Sequence, residues 1–134
     1  MTDQDRMEEE GQRELLERIR IYCLCFPGTS ERASHGAPTF YVGGKKSFAQ
    51  YHNNHHQDGR IALWCAAAAG MQPILVELDP GIYFVPPYVG HLGWVGIRLD
   101  RSAGWDTIAG VIGDAYLARA SKKYIESLRA ERSV

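Results

Sequence analysis

The sequence lacks long apolar runs, a cysteine framework and the start of an export signal. No apolar stretch approaches the ~20 residues of a membrane-spanning helix, and the N-terminal segment is acidic, unlike a signal peptide. The three cysteines are an odd number in a chain long enough to fold without disulfides, which favours a reducing compartment. We therefore expect a cytoplasmic protein that does not associate with a membrane.

The sequence also lacks a strong charge of either sign. The formal net charge is −1, which excludes a uniformly cationic surface that wraps a polyanion. Residues 1–20 carry seven acidic side chains and four arginines, so the rest of the chain has a net charge of +2 before any histidine is protonated. A basic patch is therefore allowed in the main part of the chain.

Motifs of the common enzyme classes are missing as well. The sequence contains no GxSxG turn, phosphate loop or dinucleotide fingerprint. Cys23 and Cys65 fall on apolar faces, where packing is their simplest role. A cysteine nucleophile with His35 or His91 as its base is the alternative. We expect no enzymatic activity and no cofactor.

Three clustered histidines are the strongest sign of metal binding. His52, His55 and His56 precede Asp58, and imidazoles with a carboxylate can bind zinc. However, this polar segment is typical of a turn, where nothing fixes the rings inward, and no CxxC or HExxH motif accompanies it. We expect a solvated loop, and a metal site remains the alternative.

The order of helical and strand patterns predicts one mixed α+β domain. Residues 1–10 are predicted to be a flexible N-terminus and residues 11–134 a single domain. The predicted order is α-β-β-β-α-β-β-α, an antiparallel sheet with helices packed on one face. Helices are predicted from residue 12 to the Pro27-Gly28 stop, over residues 71–78 and from residue 105, and strands over residues 38–42, 45–51, 60–66, 82–85 and 94–99. Residues 29–37 are predicted to be a loop.

The segment 86–100, PPYVGHLGWVGIRLD, joins a proline- and glycine-rich turn to a strand with two different faces. Its alternation predicts that Val95, Ile97 and Leu99 point into the core. Trp94, Gly96 and Arg98 point the other way, where an aromatic ring and a guanidinium are expected to meet a partner.

Several short motifs together resemble the MmcQ/YjbR family. The most specific are PPYVGHLGWVG and the WCAA run; the weaker matches are Pro27-Gly28, Ser34-His35-Gly36, Pro38, Phe40, Lys45, Phe48-Ala49, His55-His56 and Tyr116. The resemblance covers about residues 15–124. It implies an α+β, two-layer α-β(3)-α-β(2)-α fold, DNA binding through a "double wing" of β-hairpins, and no catalytic residue set.

Two positions depart from the family's pattern. Leu92 stands where relatives often carry a basic residue, which removes a charge from a predicted wing. Ser121 stands where relatives tend to have a proline before Lys122, so the last helix is expected to run on into the basic tail.

Two functions are predicted from these observations. The first is non-enzymatic binding of double-stranded DNA, with Lys45, Lys46, Arg60 and Arg98 on the phosphates. The alternative is a pocket for a small planar or anionic ligand beside the PPYVG turn. The residues predicted to line that pocket are His35, Trp64, Tyr88, His91 and Trp94.

Overall fold

The chain forms four α-helices and one six-stranded antiparallel sheet within residues 2–132, which are the residues that the computed structural model describes. The elements are α1 (Asp3–Leu24), β1 (Thr29–Ser34), β2 (Ala37–Val42), β3 (Lys46–Asn53), β4 (Ile61–Cys65), α2 (Met71–Leu78), β5 (Tyr83–Phe84), β6 (Val95–Arg98), α3 (Trp105–Arg119) and α4 (Lys122–Arg132). The strand order is β1-β2-β3-β4-β6-β5. The predicted α+β fold class is confirmed. Across this described part, no helix is both long and apolar enough to cross a membrane.

The central sheet has a helix-covered face and an open face. Residues that pair across antiparallel strands share a face, so Leu63 lies beside Tyr51 and Ile97 on the helix-covered face. All three are buried. The ring of Phe48 contacts the edge of Tyr116 of α3 at 5.8 Å between centroids, which packs α3 against this face.

The open face carries the alternate residues of the same strands. Trp64 lies between Gln50 of β3 and Gly96 of β6, and His52 lies beside Ala62. Gln50 and His52 are half-buried and polar. The two faces therefore differ in chemistry as well as in covering.

The first helix begins earlier than the apolar pattern predicts. It starts at Asp3, where the side chains of Thr2 and Asp5 form a capping box with each other's backbone amides. Only Ile19 and Cys23 of α1 are fully buried, so the first half of the helix has no apolar stripe for a pattern to detect. Residues 3–10, expected to be flexible, are helical.

The segment predicted to be a loop before the sheet contains a strand. β1 pairs only with β2, at the edge of the sheet, and its sequence TSERAS has no apolar alternation. An edge strand with polar side chains on both faces gives little periodic signal. The observed order is therefore four strands, a helix and two strands, rather than three, one and two.

The last predicted helix is divided into two. α3 ends at Arg119, and Ala120 adopts an extended conformation with φ −68° and ψ 139° before α4 starts. The expectation that Ser121 lets the helix continue into the tail is wrong. The turn allows Tyr124 of α4 to pack against Gly28, where an added Cβ would lie 2.2 Å from its ring.

Candidate ligand-binding cleft

A cleft of about 880 Å³ opens on the open face of the sheet. Its walls come from the β1–β2 turn (residues 34–37), from β2, β3 and Trp64 of β4, from the histidine segment 52–56, from residues of the segment 88–94 and from Leu16 of α1. A cavity of this size is in the range that holds a drug-sized molecule.

Four of the five residues predicted to line a pocket come together here. His35, Trp64, Tyr88 and Trp94 all line the cleft, although they come from three separate segments of the chain. His91 does not, because it lies exposed in a short 3₁₀ helix, Gly90–Leu92. The structure thus supports the predicted grouping at four positions and separates the fifth from it.

Three histidines that were expected to form a solvated loop also line the cleft. The rings of His52 and His55 are 4.9 Å apart between centroids, and those of His55 and His56 are 4.1 Å apart. Within residues 2–132, no three histidine, cysteine, aspartate or glutamate side chains form a group that could hold a metal ion. The histidines therefore contribute rings to the wall of the cleft.

Trp64 forms the floor of this cluster. Its ring stacks on His52 at 3.6 Å between centroids, and His55 approaches its edge at 4.9 Å. The side chain is 2% exposed, and its indole N–H is a buried polar atom with no hydrogen-bond partner in the described part of the chain. A buried donor without an acceptor is unusual in a folded protein and costs about 1–3 kcal/mol.

A chain of hydrogen bonds fixes the orientation of His52. The Thr39 hydroxyl donates to the Ala37 carbonyl at 3.0 Å. The Gln50 side-chain amide donates to the Ser34 carbonyl at 3.2 Å and to the Thr39 hydroxyl oxygen at 2.8 Å. Since a carbonyl can only accept, the NH₂ group of Gln50 must lie on this side and its oxygen on the other. That oxygen is 2.8 Å from Nε2 of His52, so Nε2 carries the proton.

The electrostatics of the cleft favour uncharged side chains. Burial is the largest cause that lowers the pKa of His52 to about 4, and His55 lowers it further. Burial also lowers the pKa of His55. None of the described residues that line the cleft is Asp, Glu, Lys or Arg. At neutral pH, His52 and His55 are therefore uncharged in a wall without fixed charges.

Unusual backbone conformations surround the cleft. Five non-glycine residues in the described range have positive φ angles, and three of them line the cleft: His35 at 51°, His56 at 47° and Tyr88 at 64°. The other two, Asn54 and Gln57, flank the histidines. Such conformations cost roughly 1–3 kcal/mol each and concentrate at binding sites.

The four cations predicted to contact DNA do not form one patch. Lys45 and Lys46 lie at the start of β3, whereas Arg60 precedes β4 and Arg98 ends β6. Asn53, at the far end of β3, pairs with Ile61, so the two groups are separated by the length of β3, about 23 Å at ~3.3 Å per residue. The four cations therefore do not lie on one common surface that could contact DNA phosphates.

Arg60 and Arg98 also have protein partners. Arg98 donates two hydrogen bonds of 3.0 Å to Asp100, and the Arg60 guanidinium lies 4.1 Å from the centroid of the Phe84 ring. Phe84 in turn covers Gly96, where an added Cβ would lie 2.3 Å from its ring. The outward side of β6, expected to offer an aromatic ring and a guanidinium to a partner, is thus largely covered by the protein.

The cysteines lie outside the cleft. Cys23 and Cys65 are buried and Cys25 is exposed, and all three are free thiols. Burial raises the pKa of Cys23 and of Cys65 well above the ordinary value, which disfavours the nucleophilic thiolate. The alternative of a cysteine nucleophile with a histidine base gains no support from this geometry.

Comparison with known proteins identifies one family. A family model described as YjbR matches residues 24–118, from the end of α1 to the last turn of α3. Neither a curated protein nor a solved structure matches the chain. The matched segment contains every residue that lines the cleft except Leu16.

Proposed function

The chain belongs to the YjbR family, and from this premise we propose that the cleft on its open face binds a small planar organic molecule. The observation that carries the proposal is the joining of aromatic rings from separate segments around one cavity: Trp64 and the histidines on the sheet side, and Tyr88 and Trp94 on the turn side. Such a wall offers flat surfaces on which a planar molecule can stack.

The strained turns support the same proposal. Folding holds His35, His56 and Tyr88 in left-handed conformations beside the cavity, although none of them is a glycine. A tyrosine with a positive φ angle is a true outlier, and its side chain is 69% exposed, so burial of its ring does not offset the strain. A role in contacting a ligand would explain why this conformation is kept.

We propose a binding role rather than an enzymatic one. The cleft lining contains serines, histidines and tyrosines, but no cysteine, lysine or carboxylate among the described residues. Within residues 2–132, the hydrogen-bond chain through Gln50 orients His52 and fixes its tautomer, and its other members are the Thr39 hydroxyl and two backbone carbonyls. A cytoplasmic location remains a prediction of the sequence.

The experiment that tests this function is a titration followed by proton–nitrogen correlation spectra. The probes are quinoline, indole and nicotinamide, added at millimolar concentration and neutral pH. We expect shift changes confined to the segments that line the cleft, which are residues 34–41, 47–56, 64 and 88–94. The Tyr88→Ala variant should bind more weakly, whereas Leu92→Ala, which removes a comparably exposed side chain outside the cleft, should bind as the native protein does. No shift with any probe would refute the proposal.

Binding of double-stranded DNA is a second candidate function, and the cations that support it lie at one end of the sheet. Arg32 donates a hydrogen bond of 2.9 Å to the Gly44 carbonyl, and Arg119 donates one of 2.9 Å to the Ser47 carbonyl. These two carbonyls flank Lys45 and Lys46, which are exposed and form no ion pair within residues 2–132. We call Arg32, Lys45, Lys46 and Arg119 the basic hairpin end.

The two candidates predict different behaviour in a DNA titration. Contacts of four cations with phosphates give a log–log salt slope of about −3.6. In fluorescence anisotropy with a duplex, the paired substitution Lys45→Gln with Lys46→Gln should reduce this slope to about −1.8. The matched pair Arg60→Gln with Arg98→Gln should leave it unchanged. No binding at tens of micromolar protein would remove this candidate.

A further inference from the structure

The segment that brings Tyr88 and Trp94 to the cleft is hydrogen-bonded to the rest of the chain through a single side chain. We call residues 86–94 the aromatic turn. The backbone hydrogen bonds of this turn join residues within it. In the part of the chain that the structure describes, the hydrogen bonds that reach the turn from elsewhere both come from Gln72 of α2. The position of the turn therefore depends on this side chain and on apolar packing.

The Gln72 amide group uses both of its N–H donors on the turn. Its Nε2 donates to the Gly90 carbonyl at 2.8 Å and to the Trp94 carbonyl at 2.5 Å. Since a carbonyl oxygen can only accept, the NH₂ group of the amide must face the turn. The two carbonyls lie at the start and just beyond the end of the 3₁₀ helix Gly90–Leu92. One side chain thus fixes two separate points of the turn.

Gln72 holds the turn from outside the cleft. No residue of α2, Met71–Leu78, lines the cavity, whereas Tyr88, Val89 and Trp94 of the turn do. The side chains of the turn thus contribute to the wall, while its carbonyls are held by a helix that takes no part in the wall.

The middle of the aromatic turn has little packing of its own. Pro86 and Trp94, at its two ends, are buried, but Tyr88 and Leu92 between them are exposed. Tyr88 also has a positive φ angle. A strained conformation persists only where the surrounding contacts determine it. The two hydrogen bonds from Gln72 are contacts of this kind.

We infer that Gln72 is a positioning residue of the cleft, whose amide holds the aromatic turn so that the Tyr88 ring contacts a planar ligand. The affinity of the site is thereby controlled from α2, by a side chain that the ligand does not touch. Removal of the amide leaves two carbonyls without their donor, and the turn moves to hydrate them. The inference rests on the proposed function and deepens it, because it names what regulates the wall of the same site.

Two substitutions remove the donors and keep the length of the side chain. Gln72→Met cannot donate, and Gln72→Glu places carboxylate oxygens against the two carbonyls. Each should weaken the binding of quinoline, indole and nicotinamide by at least about fivefold, the effect of one lost hydrogen bond. Glu77→Met, which changes an exposed residue of the same helix, is the control and should bind as the native protein does. Near-ultraviolet circular dichroism checks that each variant is folded, and either Gln72 variant alone is sufficient for the test.

A double-mutant cycle separates positioning from a general loss of stability. Positioning acts through the ring of Tyr88, so Gln72→Met should weaken binding by less than about twofold when Tyr88 is already alanine. A general destabilisation would weaken binding equally in both backgrounds. Heteronuclear relaxation gives a second readout, since the amides of residues 88–93 should gain picosecond-to-nanosecond motion in Gln72→Met, while those of residues 34–39 should not.

The outcomes distinguish this inference from the function on which it rests. Native affinity in both Gln72 variants, or equal losses in the native and Tyr88→Ala backgrounds, would overturn the positioning role and leave a planar-ligand cleft standing. The result we expect is weaker binding that depends on Tyr88, with the affinity of Glu77→Met unchanged. No shift of the native protein with any of the three probes would overturn both.

Discussion

Two neighbouring residues of β4 show how the two faces of the sheet differ. Leu63 points to the helices and Trp64 to the cleft. Both side chains are almost fully buried, at 0% and 2% exposure. Leu63 is surrounded by apolar groups and requires no further partner. Trp64 is covered by histidines, and its N–H has no hydrogen-bond partner within residues 2–132. Similar burial therefore occurs in two chemically different surroundings, an apolar core on one face and a polar, aromatic cleft on the other.

The largest expected effect sharpens this difference directly. Leu63→Ala removes a side chain from the packed core and should lower the free energy of unfolding by about 2–5 kcal/mol. Trp64→Phe removes an unpaired donor together with some apolar contact, so these effects oppose each other and the net loss should be about 1 kcal/mol or less. Urea denaturation of both variants measures the two values. Equal losses would contradict the assignment of the two side chains to different surroundings.

Next to the cleft, the protein's own side chains cover the open face of the sheet, and a glycine substitution tests how tightly they pack. Gly96→Ala would place a Cβ 2.3 Å from the ring of Phe84, which is itself buried under Arg60. We expect a destabilisation of about 1–3 kcal/mol from overpacking. Gly110→Ala, in α3 with open space around it, is the matched control and should stabilise the protein by about 0.5–1 kcal/mol. A neutral effect of Gly96→Ala in thermal denaturation would show that this region is as open as the cleft.

Strain at the rim of the cleft predicts a gain of stability with a loss of binding. Tyr88→Gly relieves a left-handed conformation of φ 64° and should raise the free energy of unfolding by about 0.5–1 kcal/mol. The same substitution removes a ring from the cleft and should weaken nicotinamide binding. Denaturation and titration of one preparation measure both effects. A stabilised variant with native affinity would show that the tyrosine is not part of the site.

The smallest expected effect is a pH dependence carried by the histidines. The pKa of His52 is about 4 in the folded protein and has its ordinary value of 6.5 when the chain is unfolded. The unfolded state therefore binds the proton more tightly, so the contribution of His52 is fully present above pH 6.5 and is lost as the pH falls towards 4. His55 and Asp58 are the charged or titratable groups that act on it, in opposite directions.

A pair of variants isolates this contribution. The urea midpoint of the native protein should fall more steeply below pH 6.5 than that of His52→Gln, while His91→Gln should follow the native curve. Parallel curves for the native protein and His52→Gln would contradict the burial of a neutral His52.

The sequence predicted much of the helix-covered face and less of the open face, for a physical reason. Apolar periodicity is a signal of burial in a core, so α3, α2 and the strand after the PPYVG turn were located within a few residues. Polar burial leaves no such periodicity. The sequence does not reveal β1, because both faces of this strand carry polar side chains. It predicts a solvated loop at His52, because the covering of this ring comes from Trp64, twelve positions further along the chain.

The separation of the cations could not be predicted either. Lys46 and Arg98 both lie at strand ends, and only the antiparallel register reveals that these are opposite ends of the sheet. By contrast, the sequence predicted that His35, Trp64, Tyr88 and Trp94 lie together beside the PPYVG turn, although it also placed His91 there, which lies outside the cleft.

The most direct test of the central claim is the position of the Trp64 indole N–H proton in a correlation spectrum as nicotinamide is added. The signal is assigned by its loss in Trp64→Phe, and Trp105, which stacks on Tyr22 away from the cleft, is an internal reference. We predict a saturable shift of the Trp64 signal, because a planar ligand in the cleft changes the surroundings of the Trp64 ring, with the Trp105 signal unmoved. A Trp64 signal that stays in place while nicotinamide binds, or one that moves together with that of Trp105, would contradict the account.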